Sequence, residues 1–207
     1  MDFLRYLSLA IIAAGMTATT ACAQEAATPP SPEKKPGNAD NYETAIFAGG
    51  CFWCVESDLE KLDGIGDVVS GYSGGDLQDP TYRNHGQHIE VVQSPYDPAI
   101  ISYRELTDYF LRHIDPLDAG GQFCDRGHAY TTAIFYANDQ QKADAEAAVA
   151  AAQEELGKEI VTPVLPAKTF WRAEDYHQDY YKKNPVRYKY YRTGCRRDAR
   201  VAQVWGK

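Results

Sequence analysis

The segment from Thr44 to Gly64 constrains this chain more than any other. Thr44-Ala45-Ile46-Phe47 reads as a short buried strand that Gly49-Gly50 stops. Phe52, Val55, Leu59 and Leu62 then recur at helical spacing until Asp63-Gly64. A strand that turns directly into a helix places Cys51 at the helix's first turn. There a thiol faces unsatisfied backbone N–H groups and the positive end of the helix dipole, and both favour the thiolate. The glycines permit the sharp turn and a close approach of backbone. A nucleophilic Cys51 of lowered pKa is therefore expected, with Phe52 and Trp53 shaping an apolar pocket for a small group such as a methyl. A buried structural cysteine among core aromatics fits the same local sequence, and both readings stay open at this point.

Strands and helices alternate along the rest of the chain. Residues 68–72 and 88–92 read as strands, separated by a Gly/Asp/Pro loop from Ser73 to Pro80. Ser102-Tyr103-Arg104-Glu105 is a capping-box signature, and the helix it opens should bury Leu106, Tyr109, Phe110 and His113. A long loop over 115–127 precedes a strand at 132–136 and an Ala-rich helix over 140–156 that ends at Gly157. A strand at 160–164 and a helix over 174–183, halted before Pro185, complete the pattern. The fold class expected is α/β: a two-layer, ferredoxin-like core with a mixed sheet, helices packed against it and long loops.

At 207 residues the chain suits one domain with a real core. Its net charge of −8 argues against a nucleic-acid binder. The residues from Lys182 onward nevertheless carry nine bases and one acid, either a solvated basic tail or a docking surface for an acidic partner. At the other end, Arg5, the apolar stretch Leu7 to Ala14 and Ala21-Cys22-Ala23 read as a signal peptide over residues 1–23. The apolar run is too short to span a bilayer as a stable helix. Thr20-Ala21-Cys22 also loosely resembles a lipoprotein box, so a lipid anchor through Cys22 is the second reading. Residues 24–41, with Pro29, Pro30, Pro32 and Pro36, read as a linker, and the domain is expected over 42–207. Export to the periplasm follows, where disulfides persist.

Cys51-Phe52-Trp53-Cys54 is a C-x-x-C, and a redox pair, half a zinc site and coincidence compete as explanations. Zinc fares worst, because no second C-x-x-C or H-x-x-x-H accompanies it. A thioredoxin-like disulfide oxidoreductase using Cys51 and Cys54 is the alternative, with Thr162-Pro163 in the role of the facing turn. Glu90 and Asp125 stand among apolar or aromatic neighbours, where burial raises a carboxyl's pKa and suits it to general acid work. As surface acids they would do neither.

Taken in order, several motifs resemble the peptide methionine sulfoxide reductase A family. They are Gly50-Cys51-Phe52-Trp53, Gly71-Tyr72-Ser73-Gly74-Gly75, Pro80-Thr81-Tyr82, His88-Ile89-Glu90, Asp115-Pro116, Gly120-Gly121-Gln122 with Asp125-Arg126-Gly127, and Glu174-Asp175-Tyr176-His177-Gln178-Asp179-Tyr180. The resemblance implies thiol-dependent reduction of the S epimer of methionine sulfoxide, peptide-bound or free. Cys51 would attack the sulfoxide sulfur, Glu90 would protonate the departing oxygen, and Tyr82 and Tyr130 would hydrogen-bond that oxygen. Asp125 would orient the site through water, and Phe52 and Trp53 would receive the substrate methyl. The resulting sulfenic acid would be condensed to a disulfide by Cys195, with Cys124 and Cys54 as alternatives, Cys54 being close but turned away. The resemblance further implies no metal, no cofactor, a thioredoxin-like reductant and a monomer. The segment Arg83 to Gln87 is shorter than in the family, and Asp198 to Trp205 reads as a terminal helix. A non-catalytic peptide-binding module on the same fold is the third reading.

Overall fold

A computed structural model describes residues 37–206. The signal segment, Cys22 and the linker's prolines lie outside the described residues. Just ahead of Tyr42, Ala39–Asn41 form a short 3-10 turn capped by Asn38, whose N–H donates to the Asp97 carboxylate at 2.8 Å.

The core unit runs β1 (Glu43–Gly49), α1 (Phe52–Leu59), β2 (Val69–Ser73), β3 (Ile89–Tyr96), α2 (Tyr103–Leu111) and β6 (Thr132–Tyr136). Between α2 and β6 a small hairpin, β4 (Gly121–Gln122) and β5 (Asp125–Arg126), replaces the uniform loop expected there. The main sheet is ordered β7-β6-β1-β3-β2-β8, with β7 at Val164–Pro166 and β8 at Trp171–Arg172. Its four central strands, β6-β1-β3-β2, pair antiparallel in the split βαβ arrangement of ferredoxin-like folds. Only β6 and β7 are parallel, which makes the sheet mixed as expected.

Strand β1 is central, and Ala45, Ile46, Phe47 and Ala48 are all buried. One face, through Ala45 and Phe47, packs with Phe52, Val55 and Leu59 of α1, with Leu106 and Phe110 of α2, and with Ala145, Ala148 and Ala152 of α3 (Asp139–Leu156). The other face, through Ile46 and Ala48, closes over Ile89, Val91, Ala133 and Phe135. The capping box at Ser102 and Glu105 forms as read, and Gly157 ends α3 in the left-handed conformation. Tyr109 and His113 are only half-buried, since they lie at the margin of the α2 stripe.

Two sequence readings give way. The strand expected at 160–164 begins only at Val164, because Thr162 is tied through its hydroxyl to that of Thr132 at 2.8 Å. The helix expected over 174–183 is confined to α4 (Tyr180–Lys183). Its first half is held as turns: Gln178 bonds both the N–H and the carbonyl of Ser70, and the N–H of Asp179 donates to Glu56. Pro185 does not merely halt a helix; it opens α5 (Pro185–Gly194) from the N1 position, where its missing N–H costs nothing.

The basic C-terminal segment is tied to the domain at several points, while Lys182, Lys183, Arg187, Lys189, Arg196 and Arg200 are exposed. Arg197, at the start of α6 (Arg197–Trp205), is buried and donates to the carbonyls of Gly49 and His113. Arg192 of α5 pairs with buried Asp58 at 2.9 Å and with Asp198, and Arg200 pairs with Asp115 at 2.7 Å. Removing Asp58 leaves two guanidinium groups without their shared carboxylate, so Asp58→Ala is expected to cost about 3 kcal/mol. Urea unfolding measures that loss, with Lys61→Ala, an exposed partner of the same acid, as a near-neutral control.

Candidate active site

The turn from β1 into α1 fixes the site. Gly50 adopts φ +78°, and a Cβ there would lie 2.4 Å from the Gln122 side chain, so only glycine fits. Gln122 is itself buried, its amide bonded to the backbone of Asp115 and Gly121. The turn delivers Cys51 to the N-cap of α1, and the next residue's N–H, that of Phe52, donates to the Glu90 carboxylate at 3.0 Å. Glu90 comes from β3, paired across the ladder with Tyr72, and is almost wholly buried. Burial lifts its carboxyl to about 8, with Asp125 and Cys54 adding to the rise and the Phe52 N–H opposing it. Glu90 therefore carries a proton at neutral pH.

The expectation of a lowered Cys51 is overturned. Burial pushes its thiol well above the ordinary range, and the neighbouring Cys54 and Glu90 add to this; the Tyr191 phenol alone acts the other way. The Cys51 side chain makes no capping hydrogen bond to the helix start, so nothing there offsets the burial. Cys54 is not turned away. The two thiols are free, buried and hydrogen-bonded to each other. That bond, with Arg197 and Arg192 nearby, draws Cys54 down to about 7 against the effect of its burial.

Cys195 forms a disulfide with Cys124, with Cα atoms 5.1 Å apart, so these two candidates for resolving Cys51 are bonded to one another. Cys124 is exposed, and the bridge forms part of the wall of an open cleft of about 770 Å³ that Phe123, Arg196 and Arg200 also line.

The aromatic residues converge as read, with different degrees of cover. Phe52 is fully buried, its ring 4.9 Å from that of His177 and 6.0 Å from that of Tyr72. Trp53 is half-buried, stacked on Tyr180 at 3.7 Å, and its indole N–H donates to His177 Nδ1 at 3.1 Å. His177 is thereby held as the neutral tautomer, and burial lowers its pKa. Tyr82 survives the short 83–87 segment because Thr81 and Asn84 close a tight turn and Glu174 accepts its N–H at 2.9 Å. Its phenol hydrogen-bonds that of Tyr130, and Tyr82 lies against the His177 ring at 4.8 Å. Asp125 is half-buried and accepts the Tyr191 hydroxyl.

Cys51, Cys54, Phe52, Trp53, Tyr82, Glu90, Asp125 and Tyr130 thus assemble around one helix start, and Cys124 and Cys195 are joined in a bridge next to Asp125. Sequence reading missed Tyr191, which touches both Cys51 and Asp125. Its only signal was its place one helical turn before Cys195. Glu174, which holds Tyr72 and Tyr82, stood in a recognised motif without a role.

A family model described as peptide methionine sulfoxide reductase matches residues 43–207. The chain is 53% identical over 173 residues to peptide methionine sulfoxide reductase MsrA 2 of Rhizobium meliloti, covering 83% of this chain and 87% of that one. It is 46% identical over 174 residues to MsrA of Bacillus subtilis, covering 81% and 98% respectively. Among solved structures, methionine sulfoxide reductase A of Corynebacterium diphtheriae superposes with TM-score 0.67 at 29% identity, covering 75% of this chain and 84% of that one. Reduced Mxr1 from Saccharomyces cerevisiae gives 0.68 at 31%, covering 72% and 90%.

The raised carboxyl has a stability consequence with a definite sign. Folded Glu90 holds its proton to about 8, whereas the unfolded chain releases it near 4.5, so the fold loses stability as pH rises between those values. Glu90→Gln removes that loss. The variant should match the parent in denaturant unfolding near pH 4 and exceed it by at least about 2 kcal/mol near pH 9.

Proposed function

The chain belongs to the peptide methionine sulfoxide reductase A family and reduces methionine sulfoxide in a thiol-dependent reaction; from that premise we propose how its residues divide the work. The observation that carries the assignment is a carboxyl held protonated at neutral pH within one hydrogen bond of the residue that follows the nucleophile.

Cys51 attacks the sulfoxide sulfur. Its proton passes to Cys54, the hydrogen-bonded thiol that ionises near neutral pH. A sulfoxide oxygen leaves poorly unless protonated, and Glu90 supplies that proton. The paired phenols of Tyr82 and Tyr130 hold the oxygen, and burial keeps Tyr130 in its donor form. Trp53, braced by Tyr180 and His177, receives the methyl over a floor made by Phe52, which favours the S epimer. The protonated oxygen then bonds the Cys51 sulfur as the bond between Cys51 and the substrate sulfur breaks, and the products are methionine and a Cys51 sulfenic acid.

Cys54 then condenses with the sulfenic acid, releasing water and leaving a Cys51–Cys54 disulfide. Its hydrogen bond to Cys51 supports this assignment over Cys195 and Cys124, whose sulfurs are already joined. A thioredoxin-like dithiol restores the pair. We further place the enzyme outside the cytoplasm, in the periplasm, repairing oxidised methionines of envelope or secreted proteins. The signal-like Ala21-Cys22-Ala23 and the Cys124–Cys195 bridge both support an oxidising compartment.

Cys51→Ser should abolish turnover of the S sulfoxide with dithiothreitol, and Glu90→Gln should lower kcat by about 10²-fold. Because the acid must be protonated, kcat/KM should fall as pH rises through about 8, a limb absent from Glu90→Gln. After one turnover without reductant, peptide mapping should return a Cys51–Cys54 disulfide with Cys124–Cys195 intact; a Cys51–Cys195 peptide would restore the tail route.

A further inference from the structure

We infer that Tyr191 is a further catalytic residue, whose phenol, held between Asp125 and Cys51, donates its hydrogen bond to the Cys51 sulfur as negative charge builds there. This rests on the reading of Cys51 as the nucleophile.

Three observations place the phenol. Its hydroxyl bonds the Asp125 carboxyl and also lies within hydrogen-bonding reach of the Cys51 thiol. Its ring stands edge-on to Trp53 at 5.9 Å and 81°, which fixes its approach to the helix start. Covalent structure fixes both ends of the contact: Cys195 donates its N–H to the Tyr191 carbonyl at 2.9 Å and is bonded to Cys124, the residue before Asp125. Phenol and carboxyl therefore belong to one small stapled unit that leans on the nucleophile.

A phenol has one hydrogen and here has two acceptors. If Asp125 is ionised, it takes that hydrogen and the sulfur has no donor. If Asp125 is protonated, it donates to the phenol oxygen, and the phenolic hydrogen turns to the sulfur. Burial raises the Asp125 carboxyl above its ordinary range, opposed by Tyr191 itself and by Arg197, and burial holds the phenol's own proton tightly. The charged and titratable groups facing this chain are Cys51, Cys54 and Asp58 from α1, Glu90 from β3, Asp125 from β5, Tyr130 before β6, Arg192 from α5 and Arg197 from α6. Glu90 is directed to the Phe52 N–H, and Cys54, once it holds the Cys51 proton, is the other donor the sulfur meets; the Tyr191 phenol adds a second.

The test is the pH profile of Cys51 alkylation by iodoacetamide on the full chain with its disulfide intact, with the modified cysteine located by mass spectrometry. Tyr191→Phe keeps the ring and removes the donor. It should move the Cys51 midpoint up by about one pH unit and slow alkylation at pH 7 about tenfold, with kcat reduced and KM little changed. Asp125→Asn supplies an amide donor to the phenol oxygen, as a protonated carboxyl would, and should leave the midpoint at or below that of the parent. An unchanged midpoint in Tyr191→Phe overturns the inference, as does an Asp125→Asn midpoint raised as far as that of Tyr191→Phe. Alkylation reads the phenol without any turnover, so a failure here is separable from a failure of the sulfoxide reaction.

Discussion

The hydrogen bond from the Phe52 N–H to the Glu90 carboxylate organises the site. It joins the first turn of α1 to the middle of the sheet, and it exists only because β1, after Gly49-Gly50, turns directly into a helix beside β3. A helix N-terminus has a limited supply of unpaired N–H groups. Here the leading one serves the buried acid and not the sulfur, so the acid tolerates burial while the thiol is left dependent on side chains. The familiar logic of a thiolate stabilised by a helix start is thereby divided: Glu90 is the proton-bearing group, and Cys51 depends on Cys54 and Tyr191.

The same turn explains why the C-terminal helices pack where they do. Asp58, on the far side of α1, would be an intolerable buried carboxylate alone. Arg192 and Arg197 reach it from α5 and α6, and Arg197 also takes the carbonyl of Gly49, the last residue of β1. The arginines thus satisfy the strand end, the buried acid and the field around Cys54 together. Two bases of a segment that looks solvent-facing from composition alone are in this way drawn into the interior.

Fold and chemistry differed in how legible they were. Local signals were direct: the glycine stop, the Ser102 capping box and the Ala-rich helix ended by Gly157 all produce the elements their residues dictate. Glu90, Tyr82, Asp125 and Tyr130 could be named from motif resemblance because each sits in a short run with fixed neighbours. What stayed hidden depends on long-range partners. The 174–179 segment has helical composition, yet Gln178 and Asp179 bond Ser70 and Glu56, more than a hundred residues away in sequence. Cys54's orientation, Cys195's partner and Tyr191's position likewise depend on which helices meet, which periodicity within one segment does not encode. The Cys51 expectation failed for the same reason: the burial and the Glu90 carboxyl that raise the thiol come from elements distant in sequence.

The Cys124–Cys195 bridge spans a sequence separation of 71 residues, enclosing β5, β6, α3, β7, β8, α4 and α5 in one covalent loop. A protease that cuts one exposed connection inside that loop would not release a fragment. Both halves would stay joined at the bridge, with Asp125 and Tyr191 still on opposite sides of the same link. A nicked molecule would run intact on a non-reducing gel and come apart only when thiols were added.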